Sequence, residues 1–262
     1  MNDILAQIVA DKQKEVAARK QLFPQSYWEQ SPMYTRAVVS LKKALLAPGP
    51  QVIAEHKRRS PSKAVINQKV QVPEVVQGYA AAGVAALSVL TEGPYFGGSL
   101  DDLVYARYSC DLPILRKDFV VDPYQIAEAR AHGADAILLI AAVLSRSTIE
   151  QLSTYAHDLG LEVLLEVHNA EELEKSLMPS LDCVGVNNRN LKTFEVSLKT
   201  SYDLKAQIPV DVVAVSESGL QDPDDVRQLH QAGFDAFLMG ERFMKEQHPG
   251  KAAAEFLQKL NP

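Results

Sequence analysis

The feature that most constrains this chain is a junction that recurs along it. A helix-like stretch closes on glycine, and an apolar, β-forming run begins at once. The junction reads YAAAGVAALSVL at 79–90, ARAHGADAILLI at 129–140, YAHDLGLEVLLEV at 155–167 and LHQAGFDAFLMG at 229–240. Gly83, Gly133, Gly160 and Gly233 stand where a left-handed residue ends a helix, a conformation open to glycine at little steric cost. Four further boundaries use other punctuation: Pro48-Gly49-Pro50, the stretch from Cys110 to Pro113, Ser180-Leu181-Asp182 and Ile208-Pro209. Boundaries therefore fall about every 26 residues, the length of one strand, one helix and two short loops.

The opposite turns, strand to helix, carry start signals. Ser99 precedes Leu-Asp-Asp-Leu, Asp122-Pro123 and Asp222-Pro223 set a capping acid before proline, and Ser147-x-x-Glu150 and Asn169-x-x-Glu172 read as capping boxes. The strands VIAEH, ALSVL, PILRK, AILLI, VLLEV, CVGVN, VVAVS and AFLMG are near-continuous apolar runs, as parallel strands buried on both faces must be. Eight strands, each followed by a helix, predict an α/β protein with a (β/α)8 barrel. A doubly wound open sheet competes, but no G-x-G-x-x-G follows the first strand. Ahead of the barrel at 48–262, residues 1–47 are expected to form a helical extension, the whole 1–262 being one domain. Ile4, Leu5, Ile8, Val9 and Val16 recur at helical spacing and Pro24 ends the pattern, predicting an amphipathic helix packed on the barrel and a second helix around 33–46. An oligomerisation arm is the alternative for this segment.

Composition narrows the function classes. At 47% hydrophobic and 23% charged the chain is that of an ordinary globular protein, with no apolar run of the roughly 18 residues that a membrane span needs. The first twenty residues alternate apolar with charged and do not read as a secretory leader. Cys110 and Cys183 offer no disulfide framework, so a cytoplasmic location is expected. A net charge of -6, from 27 basic against 33 acidic residues, argues against nucleic-acid binding and leaves a small anionic ligand open.

The candidate chemistry lies at the predicted strand ends, where barrels of this kind carry their active sites. The first strand ends in Glu55-His56-Lys57, and alternation puts Glu55 and Lys57 on one face. A structural ion pair is the plain alternative there. The third strand ends in Lys117-Asp118, the fifth in Glu166-Val167, the sixth in Asn187-Asn188-Arg189, the seventh in Glu217-Ser218-Gly219 and the eighth in Gly240-Glu241. The last two suggest a phosphate site, because loops after strands 7 and 8 commonly hold phosphate through backbone N–H groups. The segment RRSPSK at 58–63 can add Ser60 and cationic side chains from the opposite rim, although a charge run is more often a solvated face. No histidine pair has zinc-ligand spacing, and neither a G-x-S-x-G elbow nor a P-loop occurs. His56 and His168 are expected to face away from the barrel interior as structural residues, and Cys183 to be a small core residue.

In these motifs the chain resembles the indole-3-glycerol-phosphate synthase family of tryptophan biosynthesis. The resemblance rests on EHKRRSPS at 55–62, SVLTEGPYFGGS at 88–99, LRKDF at 115–119, LLEVHN at 164–169, GVNNRNL at 185–191, SESG at 216–219 and LMGE at 238–241. It implies a lyase that closes the ring of 1-(2-carboxyphenylamino)-1-deoxy-D-ribulose 5-phosphate, with loss of carbon dioxide and water and without a cofactor or metal. The implied catalytic positions are Glu55, Lys57, Lys117, Glu166, Asn187, Glu217 and Ser218. Ser60, Pro61, Phe96, Arg189, Gly219, Gly240 and Glu241 are the implied substrate-binding positions. The resemblance also implies a phosphorylated small-molecule substrate and no nucleic-acid or membrane partner. A monomer is expected, with association with other enzymes of the pathway left open. Arg58 and Arg59 make the loop after Lys57 unusually basic, and residues 58–72 are expected to close over substrate. The rival readings are a Schiff-base aldolase working through Lys117 and a non-catalytic binder of a phosphate ligand.

Overall fold

The computed structural model describes residues 4–191 and 193–260; the extreme residues of the expected 1–262 domain lie outside the described residues. The chain opens with α1 (Ile4–Leu22), α2 (Gln25–Glu29) and α3 (Leu41–Leu45). It continues as β1 (Gln51–His56), α4 (Val72–Ala82), β2 (Ala86–Leu90), α5 (Leu100–Ser109), β3 (Ile114–Lys117), α6 (Pro123–Ala131), β4 (Ala136–Ile140) and α7 (Arg146–Asp158). Then follow β5 (Glu162–Val167), α8 (Ala170–Ser176), β6 (Cys183–Asn187), α9 (Lys199–Lys205), β7 (Val213–Glu217), α10 (Pro223–Gln231), β8 (Ala236–Met239), α11 (Glu241–Met244) and α12 (Pro249–Leu260). Among the described residues the strands pair in parallel in chain order and β8 returns to β1, closing the (β/α)8 barrel.

The local reasons are those carried by the sequence. Gly83, Gly133, Gly160 and Gly233 have φ of 86°, 87°, 73° and 103° where their helices end. Ser99, Asp122, Asn169 and Asp222 accept backbone N–H groups in the first turns of α5, α6, α8 and α10. The cap of α7 is a correction: Ser145, not Ser147, accepts the N–H of Thr148, and the helix starts two residues earlier than the box predicts. Alternate strand residues Ile53, Leu115, Leu164, Cys183, Val215 and Leu238 fill the barrel interior, while their neighbours pack outward under the helices. Cys183 is fully buried in that interior, as expected.

The N-terminal extension differs in two respects. The helix expected around 33–46 spans only Leu41–Leu45, and the short α2 precedes it; residues 31–36 form turns, and the segment before α3 is tied to the barrel by side-chain contacts. The Arg36 guanidinium lies 2.6 Å from Asp135, the Val39 N–H donates to the same carboxylate at 2.8 Å, and Ser40 then caps α3. The buried stripe of α1 is also less apolar than predicted, running Ile8, Lys12, Val16. Lys12 reaches Asp118 at 3.2 Å and Glu15 at 2.8 Å, and Arg19 reaches Glu128 of α6 at 2.8 Å. These contacts fasten α1 beside the end of β3. No helix among the described residues is long and apolar enough to cross a membrane.

Candidate active site

Barrel closure brings the polar strand ends to one mouth. A cavity of about 440 Å³ opens there, and Glu55, Lys57, Lys117, Glu166, Asn187 and Glu217 line it. Ser60, Pro61, Phe96, Arg189, Ser218, Gly219, Gly240 and Glu241 line the same cavity. Residues separated by more than a hundred positions in the chain thus face one space.

Lys117, at the end of β3, is the electrostatic centre. Its Nζ lies 2.6 Å from Glu217 Oε2 and 3.0 Å from Glu166 Oε2. Burial works against its charge, but Glu217, Glu166 and Glu55 overcome that and hold the ammonium well above the ordinary lysine range. Glu166 is buried, which favours its neutral form, yet Lys117 and His168 together keep it well below the ordinary carboxylate range. Glu217 shares Lys117 but pairs with no second cation among the described residues. Burial pushes it up, Lys117 opposes, and the repulsion of Glu166 and Glu55 carries it to about 7. Two carboxylates on one ammonium are thereby pushed apart, Glu166 ionised in the resting site and Glu217 able to hold a proton near neutrality. At the end of β1, two strands from β3, Lys57 pairs with Glu55 at 2.5 Å, as alternation along β1 requires.

Glycines make room for these carboxylates. A Cβ on Gly185 would stand 2.1 Å from Glu217 Oε1 and 3.1 Å from Leu164, and one on Gly240 would stand 2.5 Å from Glu55 Oε1. Gly185→Ala is therefore expected to displace Glu217 from Lys117 and to destabilise the fold by about 1–3 kcal/mol, the usual cost of overpacking. A denaturant midpoint equal to that of the unaltered protein would show that the close approach imposes nothing.

The turn after β7 is strained and supported. Ser218 is left-handed at φ 68° and Gly219 follows at 81°. Buried Asn188 fixes this turn: its amide donates to the Glu217 and Ser218 carbonyls at 3.0 and 3.1 Å and to Ser216 Oγ at 3.1 Å. Beside it, after β8, Glu241 pairs with Lys63 at 3.0 Å, so its charge is met from the β1 loop, which lies next to β8 and not on the opposite rim as expected. Arg58 and Arg59 do not line the cavity. Arg58 binds Asp102 and the Gly97 carbonyl (3.0 Å) and Arg59 the Gly93 carbonyl (2.9 Å), fastening their loop to the β2–α5 connection.

Sequence reasoning missed three features. His168 does not face away from the site: a strand alternates with period two, so it shares the face of Glu166, and its Nε2 lies 3.3 Å from Glu166 Oε1. His56 does face outward, into the layer under the helices, where burial depresses its pKa to about 4. The second miss is Asn188, whose part depends on the turn it meets. The third is an apolar wall in which Ile4, Leu5 and Ile8 of α1 join Phe119, Leu138 and Ile140. Their helical spacing predicted a buried face but not that the face would line this cavity.

The fold and the paired acids and ammoniums at its mouth define a (β/α)8 barrel with a charged cavity at the ends of its strands. The sequence model of the family described as indole-3-glycerol phosphate synthase matches residues 5–256, and the chain belongs to that family. It is 47% identical over 260 residues to an indole-3-glycerol phosphate synthase of Bacteroides thetaiotaomicron, an alignment covering 99% of this chain and all of that one. It is 48% identical over 259 residues to the same-named protein of Albidiferax ferrireducens, covering 97% and 98% of the two chains. Among solved structures, the thiamine phosphate pyrophosphorylase of Pyrococcus furiosus superposes with a TM-score of 0.61 at 16% identity, over 84% of this chain and 98% of that one, a likeness of fold alone.

Proposed function

We propose that this cavity converts 1-(2-carboxyphenylamino)-1-deoxy-D-ribulose 5-phosphate to indole-3-glycerol phosphate, carbon dioxide and water. The observation that carries the reading is that Lys57, Lys117 and Glu166 face one cavity with an apolar wall on one side. Ring closure needs the ribulose carbonyl polarised while the aromatic carbon attacks it. Lys117, held charged by two carboxylates, is suited to donate that proton and unsuited to act as a neutral amine nucleophile. This argues against the Schiff-base reading.

Loss of carbon dioxide then restores the ring's conjugation, with the electron pair of the broken bond returning to the ring, so the step needs no external electron sink. Lys57, oriented by Glu55, meets the carboxylate before it leaves and supplies a proton to the departing hydroxyl. Glu166, already ionised, is the base that takes the proton lost as the indole forms. Asn187 and Glu217 orient the ribulose hydroxyls. Ser218, Gly219, Gly240 and Glu241 hold phosphate from the turns after β7 and β8 and Ser60 from the neighbouring β1 loop, with Arg189 at the same mouth. Phe96 and Pro61 flank the aromatic ring, with Phe119 behind Phe96 at 6.1 Å between ring centroids.

Adding the anthranilate-ribulose phosphate to the folded protein is expected to produce indole fluorescence together with released carbon dioxide. A folded protein that binds the compound and yields neither would be a binder instead. The loop at 58–72 closes over the bound substrate in this reading, so limited proteolysis within it is expected to slow when substrate is present; unchanged cleavage would contradict closure. The protein acts as one barrel domain with its helical extension, as a cytoplasmic monomer.

A further inference from the structure

The mechanism above leaves unused the imidazole that touches Glu166. His168 follows β5 directly, and its side chain is 10% exposed. Nδ1 lies 3.1 Å from Glu172 Oε2, and the same oxygen accepts the backbone N–H of His168 at 2.9 Å. Nε2 lies 3.3 Å from Glu166 Oε1, an ion-pair contact set off the line of a hydrogen bond. Glu172 is itself fixed in the first turn of α8: Asn169 accepts its N–H at 2.9 Å and donates to its Oε1 at 2.9 Å. Among the described residues the charged groups bearing on the imidazole are Glu166 from the end of β5 and Glu172 from α8, while Lys117 of β3 meets it through Glu166. A neutral imidazole has one N–H and one lone pair, and the lone pair would face a carboxylate oxygen whichever tautomer formed. Both ring nitrogens face carboxylates, so both need protons.

We propose that His168 is a positioning residue: a doubly protonated imidazole, anchored by Glu172, that holds Oε1 of Glu166 and so keeps Oε2 turned to Lys117 and the substrate. The inference rests on the role given to Glu166 above. Electrostatics agree, since burial opposes the charge but the two carboxylates raise His168 to about 9. The working form is therefore present below that pH and lost above it.

The direct test is the ¹⁵N NMR state of His168 in the unaltered protein at pH 7, where both ring nitrogens are expected to be protonated; a neutral tautomer would overturn the proposal. The functional test is Glu172→Gln, which keeps the size of a side chain that does not line the cavity. The basic limb of its kcat profile is expected to move about one pH unit lower, with KM unchanged. His168→Asn is expected to lower kcat about 10–100-fold, the scale on which outer partners act through the groups they orient. An unmoved limb in a well-folded Glu172→Gln protein, beside a Glu166→Gln protein of damaged kcat, overturns this proposal alone. A Glu166→Gln protein with normal kcat removes the underlying reading and this one together.

Discussion

Lys117→Ala is expected to lower kcat by about 10²–10⁴, the range usual for loss of a general acid. The carbonyl attacked in ring closure becomes an alkoxide unless a proton reaches it, and Lys117 is the ammonium held between two carboxylates at the centre of the mouth. The substitution also leaves Glu166 and Glu217 buried without the cation they share, a kind of loss that costs about 3–5 kcal/mol where an ion pair is broken on one side. Two measurements separate the effects: single-turnover ring closure under conditions where circular dichroism shows the protein folded, and the same assay on Lys117→Arg. The arginine variant keeps the charge but places a planar fork where a compact ammonium stood, so it is expected to recover stability more fully than rate. A near-normal rate in Lys117→Ala would transfer the acid role to Lys57 across the cavity.

Glu166→Gln is expected to reduce kcat about 10²–10³-fold while moving KM by no more than a few-fold. Glutamine preserves the shape and can still face Lys117, so ground-state binding survives. What disappears is an anion kept ionised by Lys117 and His168, and a base cannot be replaced by an amide. An interaction used only in the transition state lowers kcat and kcat/KM alike. If KM rose steeply with kcat unaltered, Glu166 would be a binding group and the proton would leave by another route. Because its pKa is depressed, the stabilisation Glu166 gives the fold is present above the ordinary carboxylate pKa and lost only as pH falls through the lowered one.

The barrel was legible because each of its signals is local. A glycine that ends a helix and an apolar strand that follows it need nothing distant, and all four glycine junctions fall where the sequence places them. The strand-end residues were legible for a related reason: an acid or amine after a buried run needs a polar space to face, and closure provides one. What could not be read depended on partners far off in the chain. Lys12 looks like a solvated helix residue until Asp118, more than a hundred positions away, meets it. Asn188 reads as an ordinary neighbour of Asn187 until the turn after β7 presents its carbonyls. His168 was within reach of the sequence, since a spacing of two along an extended strand is enough to put it beside Glu166, and Glu172 at i+4 marks the other end of the chain of charges.

At the root of these expectations is a single arrangement, in which Lys117 addresses the sugar carbonyl while Lys57 addresses the carboxylate that departs. A crystal structure with the substrate analogue whose carbonyl is reduced to a hydroxyl tests it most directly. That oxygen is predicted within about 3 Å of Lys117 Nζ, with the aromatic carboxylate on Lys57 and the phosphate at the turns after β7 and β8. The same analogue bound with its hydroxyl on Lys57 and its carboxylate on Lys117, or seated away from both, would contradict the account.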